Sequence, residues 1–310
     1  MACSRFEYVK TFEHDPPILP NCWFTARHGF EKPNDPRGLA LMTRAAAAVV
    51  NKFNEIVLAF GESDEYSFLF RRDTTLWGRR MSKILTSVVS LFTAAYVFSW
   101  NDVFGRPRDG SDGGECGADE SGAEGSRLQC CPSFDGRVVC YPSEQNVRDY
   151  FSWRQADCHV NNQYNTCFWS LVKAGESREQ AYETLKGTHT AAKNELLYQR
   201  FGINYAKLPA IYRKGTIIIR DPAGRSGRRR EQRTAQADGG CHEKDPPASA
   251  AATNGPPEEP SGGDEDAGRD KATYPGLWVL HEDLIGDRFW EAFPHILDPP
   301  AGKAAAKNKT

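Results

Sequence analysis

Apolar residues at Ile84, Val88, Leu91, Phe92 and Ala95 recur every three to four positions, so Arg79 to about Trp100 reads as one amphipathic helix. An earlier Ala-rich run opens on Asp35-Pro36, a good N-cap and first-turn pair, and predicts a helix to about Asn54. Between them lies LAFGESDEYSFLF, Leu58 to Phe70. Glu55–Phe60 and Glu65–Phe70 read as strands around the turn Gly61-Glu62-Ser63-Asp64, a hairpin. Val138–Tyr141 predicts a strand, after which Ser143 caps a helix rich in aromatics, running past Tyr150 and Trp153 toward Phe168 and Trp169. Shorter helices are predicted near Glu176–Lys186 and Thr190–Phe201, and strands at Thr216–Ile219 and Leu277–Leu280. Helix, hairpin, helix, strand is the order of a split βαβ sheet with helices packed on one face. That scheme wants a strand before the first helix, and Cys22–Ala26 is the candidate.

Composition changes this picture in two places. Of 310 residues 39% are hydrophobic and the mean hydropathy is −0.60, low for a wholly compact chain. Gly105 to Cys131 has Leu128 as its one large aliphatic residue, and Asp221 to Thr273 has no Val, Ile, Leu, Met, Phe, Trp or Tyr. Neither tract buries enough apolar surface to offset backbone ordering, so both are expected to be disordered insertions. The second carries RSGRRREQR from Arg225 and then an acidic run, either a solvated linker or an RNA-contacting cluster. A formal net charge of −2 predicts no global attraction to nucleic acid, so any such binding needs a local basic face.

The nine cysteines are scattered without zinc spacing, which reads as reduced thiols inside a cell; a zinc site at Cys130-Cys131 lacks visible partners. MACSRFEYVKTFEHDPP has neither the apolar core of a signal peptide nor the acid-free composition of a transit peptide. Thr86, Ser87, Ser90 and Thr93 interrupt the longest apolar run, predicting a buried helix rather than a membrane span. The expectation is a soluble chain of the cytoplasm, with nucleus or mitochondrion as alternatives.

Four clusters carry candidate chemistry. Ser63, Asp64 and Glu65 present acceptor oxygens at a hairpin turn, and Mg²⁺ is commonly held by one or two carboxylates plus substrate phosphates; turns also simply favour Ser and Asp. Arg79, Arg80 and Lys83 stand at a helix N-terminus, where cations oppose the macrodipole and an anionic partner is attractive. WRQADCHVNNQYN, Trp153 to Asn165, is dense in groups that read or stack on nucleobases, or else is a helix face ending in a polar loop. KNELL from Lys193 and YRKGT from Tyr212, with Arg213 and Lys214, place cations beside element ends.

Together with MACSRFEYVK, KPNDPR, FDGRVVCYPS, INY and GDRFWEAFPHIL, these motifs resemble the tRNA(His) guanylyltransferase family over about 1–104, 132–220 and 275–298. WRQADCHVNN is the most specific of them, differing from the family's HINN only at Val160. The resemblance implies an α+β fold, a polymerase-palm-like (ferredoxin-like) antiparallel sheet with helices packed on it, plus the disordered insertions. It divides the chain into a palm-like catalytic domain over 1–220, interrupted at 105–131, a low-complexity linker over 221–273, and a C-terminal segment over 274–310 that packs back on the domain. It implies ATP-dependent activation of the 5′ end of tRNA(His), then addition of guanosine from GTP at position −1, in the 3′–5′ direction, with two Mg²⁺ ions. On this resemblance Asp64 is a metal ligand and, with Glu65, catalytic. Ser63, Asp64, Lys32, Arg79, Arg80, Lys83 and Lys193 bind nucleotide. His159, Asn161, Asn162, Arg213 and Lys214 bind tRNA. The resemblance further implies a homotetramer whose active sites depend on neighbouring subunits, and no membrane partner is expected.

The chain departs from the family at one point. After the Cys-Trp strand the family has Arg-Leu-Asp-Gly-Arg and then Phe-His-Arg-Phe before KPND, whereas this chain runs directly NCWFTARHGFEKPND. Roughly a dozen residues are absent, about two strands' worth. They include the family's other metal-binding Asp and the Gly whose carbonyl joins it; Asp135-Gly136-Arg137 belongs to a different motif and is no substitute. A splice or gene-model variant and a degenerate, inactive tRNA-binding paralogue both account for the gap. A metal-dependent phosphohydrolase on the same sheet would need clustered His and Asp ligands, which 7 scattered histidines do not supply.

Overall fold

The computed structural model describes residues 5–12, 30–105, 128, 130–221 and 274–297. The predicted strand Cys22–Ala26, nearly all of the two low-complexity tracts and the tail after Leu297 lie outside them.

Helix α1, Pro36–Lys52, starts where Asp35 Oδ1 accepts from the Arg37 amide at 2.9 Å, an N-cap that satisfies one of the helix's unpaired donors. Strands β1, Ile56–Glu62, and β2, Glu65–Phe70, form the hairpin, and only Ser63 and Asp64 separate them. Register fixes the glycine before the turn. Gly61 stands opposite Tyr66, and a Cβ on it would fall 2.2 Å from the Tyr66 ring. Ser63 is left-handed at φ 50°, a strained conformation for a residue with a β-carbon.

Helix α2, Met81–Phe104, extends one turn beyond the predicted end. Phe92, Tyr96 and Trp100 form the stripe that packs against α1, whose small Ala45, Ala46 and Ala47 allow close approach. Buried on one stripe only, α2 differs from the expected buried helix: Phe98 is 87% exposed. It is long and apolar enough to cross a bilayer by length and composition.

The segment expected to hold a strand at Val138–Tyr141 pairs with no strand among the described residues. Side chains fix it instead: Phe134 inserts against Phe92 and Tyr96 at ring separations of 4.8 and 5.3 Å, and Tyr141 lies 5.3 Å from Tyr150.

Helix α3, Glu144–Lys173, is continuous through the stretch that composition left open as a polar loop. Helices α4, Arg178–Leu185, and α5, Thr190–Phe201, pack on its C-terminal half around Cys167, Leu171, Ala181, Leu185 and Leu197. A short α6, Ala210–Lys214, leads into β3, Thr216–Arg220, and β4, Leu277–Leu280, pairs beyond it. The sheet is antiparallel throughout, in the order β2-β1-β3-β4.

The expectation of helices on one face is too simple. Ile56, Ala59 and Ile218 face α1 and α2, while Leu58, Phe60, Ile217 and Ile219 face Phe151 of α3 and, in the C-terminal segment, Phe289 and Trp290 of α7, Arg288–Ala292. β1 is therefore buried at every position, which explains its near-continuous apolar run.

Candidate active site

The hairpin turn lies at the end of the sheet where Gly61 pairs with Thr216. This register brings the YRKGT segment against the turn: Gly215, at φ 75°, has its Cα so close that a Cβ would meet the Gly61 carbonyl at 2.6 Å. Glycine is required there by both conformation and space. Ser63 and Asp64 are exposed at the tip. A small cleft with about 10 Å³ of free room, enough for one water, opens beside them, lined by Leu39, Met42, Thr43 and Tyr66 among others. That is below the roughly 300–1,000 Å³ of sites that enclose a small molecule, so a nucleotide would lie across this surface rather than within it.

Asp64 makes no hydrogen bond or ion pair to a described residue, but its neighbours are engaged. Arg154 of α3 donates from Nη2 to Glu62 Oε1 and to Glu65 Oε2 at 2.7 Å, and from Nη1 to Asp157 Oδ2 at 3.3 Å. Burial pushes the Glu62 carboxyl up to about 8, with Arg154 pulling the other way and Glu65 and Asp157 adding to the rise. Burial likewise raises Glu65, against the attraction of Arg154. Several carboxyls sharing one guanidinium cannot all ionise cheaply.

Among the described residues no three His, Cys, Asp or Glu side chains are grouped to hold a metal. The donors present fit one hydrated Mg²⁺ on Asp64, completed by substrate phosphates. Among the described residues they do not fit a pair of ions, because Glu62 and Glu65 both bond Arg154.

The WRQADCHVNN run sits mid-α3, with Arg154, Gln155, Cys158 and Asn162 buried and the rest half-buried or exposed. Gln155 Nε2 donates to the carbonyls of Lys214 and Glu282 at 2.8 and 2.9 Å, and its Oε1 accepts from the Leu284 amide at 2.6 Å. Asn162 is buried with both ends of its amide in use: Oδ1 accepts from Asn34 at 2.9 Å and Nδ2 donates to the Tyr205 hydroxyl at 3.1 Å. The Tyr205 hydroxyl in turn donates to the His159 carbonyl at 3.1 Å. Thus KPND, HVNN and INY form one hydrogen-bonded unit, and Asn162 is not presented for direct base contact. Asn162→Ala is expected to lower stability by about 1–3 kcal/mol by orphaning two buried partners, read as a shift in the denaturant midpoint at unchanged slope.

Asn161, by contrast, is exposed. His159 is half-buried against Tyr205, ring centroids 5.3 Å apart, and burial, with Arg213 nearby, holds its pKa below the usual value.

The predicted site residues therefore divide. Of them Ser63, Asp64, Glu65 and Lys214 meet at the turn end of the sheet, beside Arg154 and Gly215, and the Asn34–Asn162 bond joins the KPND segment, which contains exposed Lys32, to the same stretch of α3. Arg213 lies by His159, its Nε donating to the Leu208 carbonyl at 2.7 Å. Arg79, Arg80 and Lys83 are elsewhere. Arg79 donates to the carbonyls of Arg72 and Thr74 at 3.1 Å, and Arg80 to that of Trp77 at 3.0 Å, all past the Phe70 end of β2. Six strand residues, about 20 Å, separate that end from Asp64, so these cations do not share Asp64's site within one chain. Lys193 Nζ is bonded to the Thr188 carbonyl at 2.7 Å, closing the α4–α5 connection.

Sequence reasoning missed Glu62 and Arg154. The available signal was Arg154, Asp157 and Cys158 at i, i+3, i+4, one polar face of a helix facing an acidic turn.

The family described as tRNAHis guanylyltransferase matches residues 6–142, and the Thg1 C terminal domain matches residues 145–285. The probable tRNA(His) guanylyltransferase of Drosophila melanogaster is 52% identical over 233 residues, 71% of this chain and 74% of that one. Its counterpart from Dictyostelium discoideum is 39% identical over 310 residues, 96% of this chain and 99% of its own length. The crystal structure of the Saccharomyces cerevisiae tRNA(His) guanylyltransferase superposes with a TM-score of 0.54 at 36% identity, covering 69% of this chain and 81% of that one. Matched along both halves and over most of the length of these relatives, the chain belongs to the tRNA(His) guanylyltransferase family of nucleotidyltransferases.

Proposed function

We propose that this chain recognises tRNA(His) and adds guanosine at position −1 at a strongly reduced rate, because its metal site has one carboxylate where two are needed. The observation that carries this reading is Asp64, exposed at the turn with no ion pair among the described residues, while Glu62 and Glu65 are tied to Arg154. Asp64 would hold a Mg²⁺ ion shared with the phosphates of ATP or GTP, and the ion would draw off charge that builds on those phosphates during transfer. Ser63 lies beside the nucleotide in this reading. Lys32, Arg213 and Lys214 offer cations to phosphate. His159, mostly neutral near pH 7, and exposed Asn161 contact the tRNA during 5′ activation, positioned through Asn162. Arg79, Arg80 and Lys83 would serve a neighbouring copy in a homotetramer, which reconciles their position with a role in nucleotide binding.

The engagement of both flanking glutamates by Arg154 also favours a second reading, a tRNA-binding member of the family without transfer activity. Incubation with tRNA(His), ATP, labelled GTP and Mg²⁺, alongside a tRNA-binding titration in salt, tests both. The first reading predicts slow incorporation, abolished in Asp64→Ala, with binding that weakens as salt rises. Binding that survives Asp64→Ala with no incorporation at all supports the second. Incorporation as fast as that of the yeast relative, or no binding at low salt, contradicts the proposal.

A further inference from the structure

We infer that Arg154 is a positioning residue, the resident cation that fixes the Ser63–Asp64 turn against α3. The inference rests on reading that turn as the reacting end of the molecule. The Arg154 side chain is 9% exposed, and its Nη2 bonds Glu62 and Glu65, the two residues that bracket the turn. Its guanidinium carbon lies 4.8 Å from the Trp153 ring centroid. A planar guanidinium suits this place, because one edge bonds two carboxylates while the face stacks on a ring.

Two independent features show that the turn needs such a tether. The Glu62 side chain is only 7% exposed, it faces the Cys158 thiol, and among the described residues Arg154 supplies the one ion pair it makes. Ser63, between the two tethered glutamates, holds a left-handed backbone at φ 50°. Strained residues persist only where their surroundings over-determine them. Bonds from one rigid side chain to both flanks of Ser63-Asp64 do that, while Asp64 itself stays exposed and bonds no described residue.

Hydrogen–deuterium exchange on the full chain, without tRNA or nucleotide, tests this whether or not the chain transfers guanosine. In Arg154→Met the amides of Glu62 to Tyr66 are expected to exchange about tenfold faster or more, the factor that corresponds to losing about 1.4 kcal/mol of local protection. Ile217 to Ile219 in β3 should keep their protection. Arg154→Lys should restore part of the turn's protection, since an ammonium keeps one carboxylate contact. If Arg154→Met fails to fold, Glu65→Gln decides: it removes one tether at a half-exposed site and should accelerate exchange at the turn alone. Unchanged turn exchange in the variant that folds, equal acceleration at the turn and in β3, or no recovery with lysine would overturn the inference.

Discussion

Replacing Phe60 with alanine is expected to destabilise the folded chain by about 3–5 kcal/mol. Phe60 lies in the central strand with 1% of its surface exposed. Its ring meets Phe151 of α3 edge-on at 6.3 Å, and the tight approach of Gly215 leaves the Phe60 ring 2.8 Å from where a Cβ would be. Few neighbours can collapse into the vacated volume, because the strand is buried on both faces and backbone closes one side. The gap would open directly beneath Glu62, so the turn should loosen with the core. A denaturant titration measures the loss. A change below about 1 kcal/mol would mean that α3 does not seal this face of the sheet.

Local chemistry made most of the elements readable. Thr190–Phe201 and Leu277–Leu280 have the bounds their patterns predict, and the Asp35-Pro36 and Ser143 caps open α1 and α3 where expected. Errors arose where side chains override backbone patterns. Val138–Tyr141 has strand composition, yet Phe134 and Tyr141 anchor the segment to α2 and α3, and no described strand pairs with it. The helix from Ser143 runs on past Phe168 and Trp169 as its aromatic pattern predicts, and buried Gln155 and Asn162 find partners on other elements along the way.

The candidate site was legible in its tip and illegible in its support. Asp64 stands out in the sequence as a carboxylate among apolar strands. Arg154 looks like one letter in a nucleobase-reading motif until the fold places it across from Glu62 and Glu65. Distances along a strand also carry information that motifs do not. Arg79, Arg80 and Lys83 have the right chemistry for triphosphate, but the hairpin's length puts them at its far end.

The second large effect follows from the proposed reading, in which this chain lacks the carboxylate that would face Asp64. A lone Asp64 can share one hydrated cation with phosphate, whereas in-line phosphoryl transfer is served best by two closely spaced ions that clamp the attacking and leaving oxygens. Inserting the family's missing Asp-Gly segment between Arg27 and His28 would supply the opposing carboxylate and a carbonyl donor. Losing preorganised charge of this kind costs about 10²–10³ in rate, so the restored chain should add guanosine faster by at least that factor. Salt-dependent binding of tRNA(His) should change little, since the basic and aromatic groups around His159, Arg213 and Lys214 are untouched.

The most direct measurement compares single-turnover incorporation of labelled GTP at the 5′ end of tRNA(His) by the chain as it stands, the restored chain, and the restored chain carrying Asp64→Ala. The account predicts slow addition by the first, addition about 10²–10³ faster by the second, and collapse of that gain in the third. Equal rates for the first two would contradict it, and would show that Asp64 does not need the partner that the family supplies.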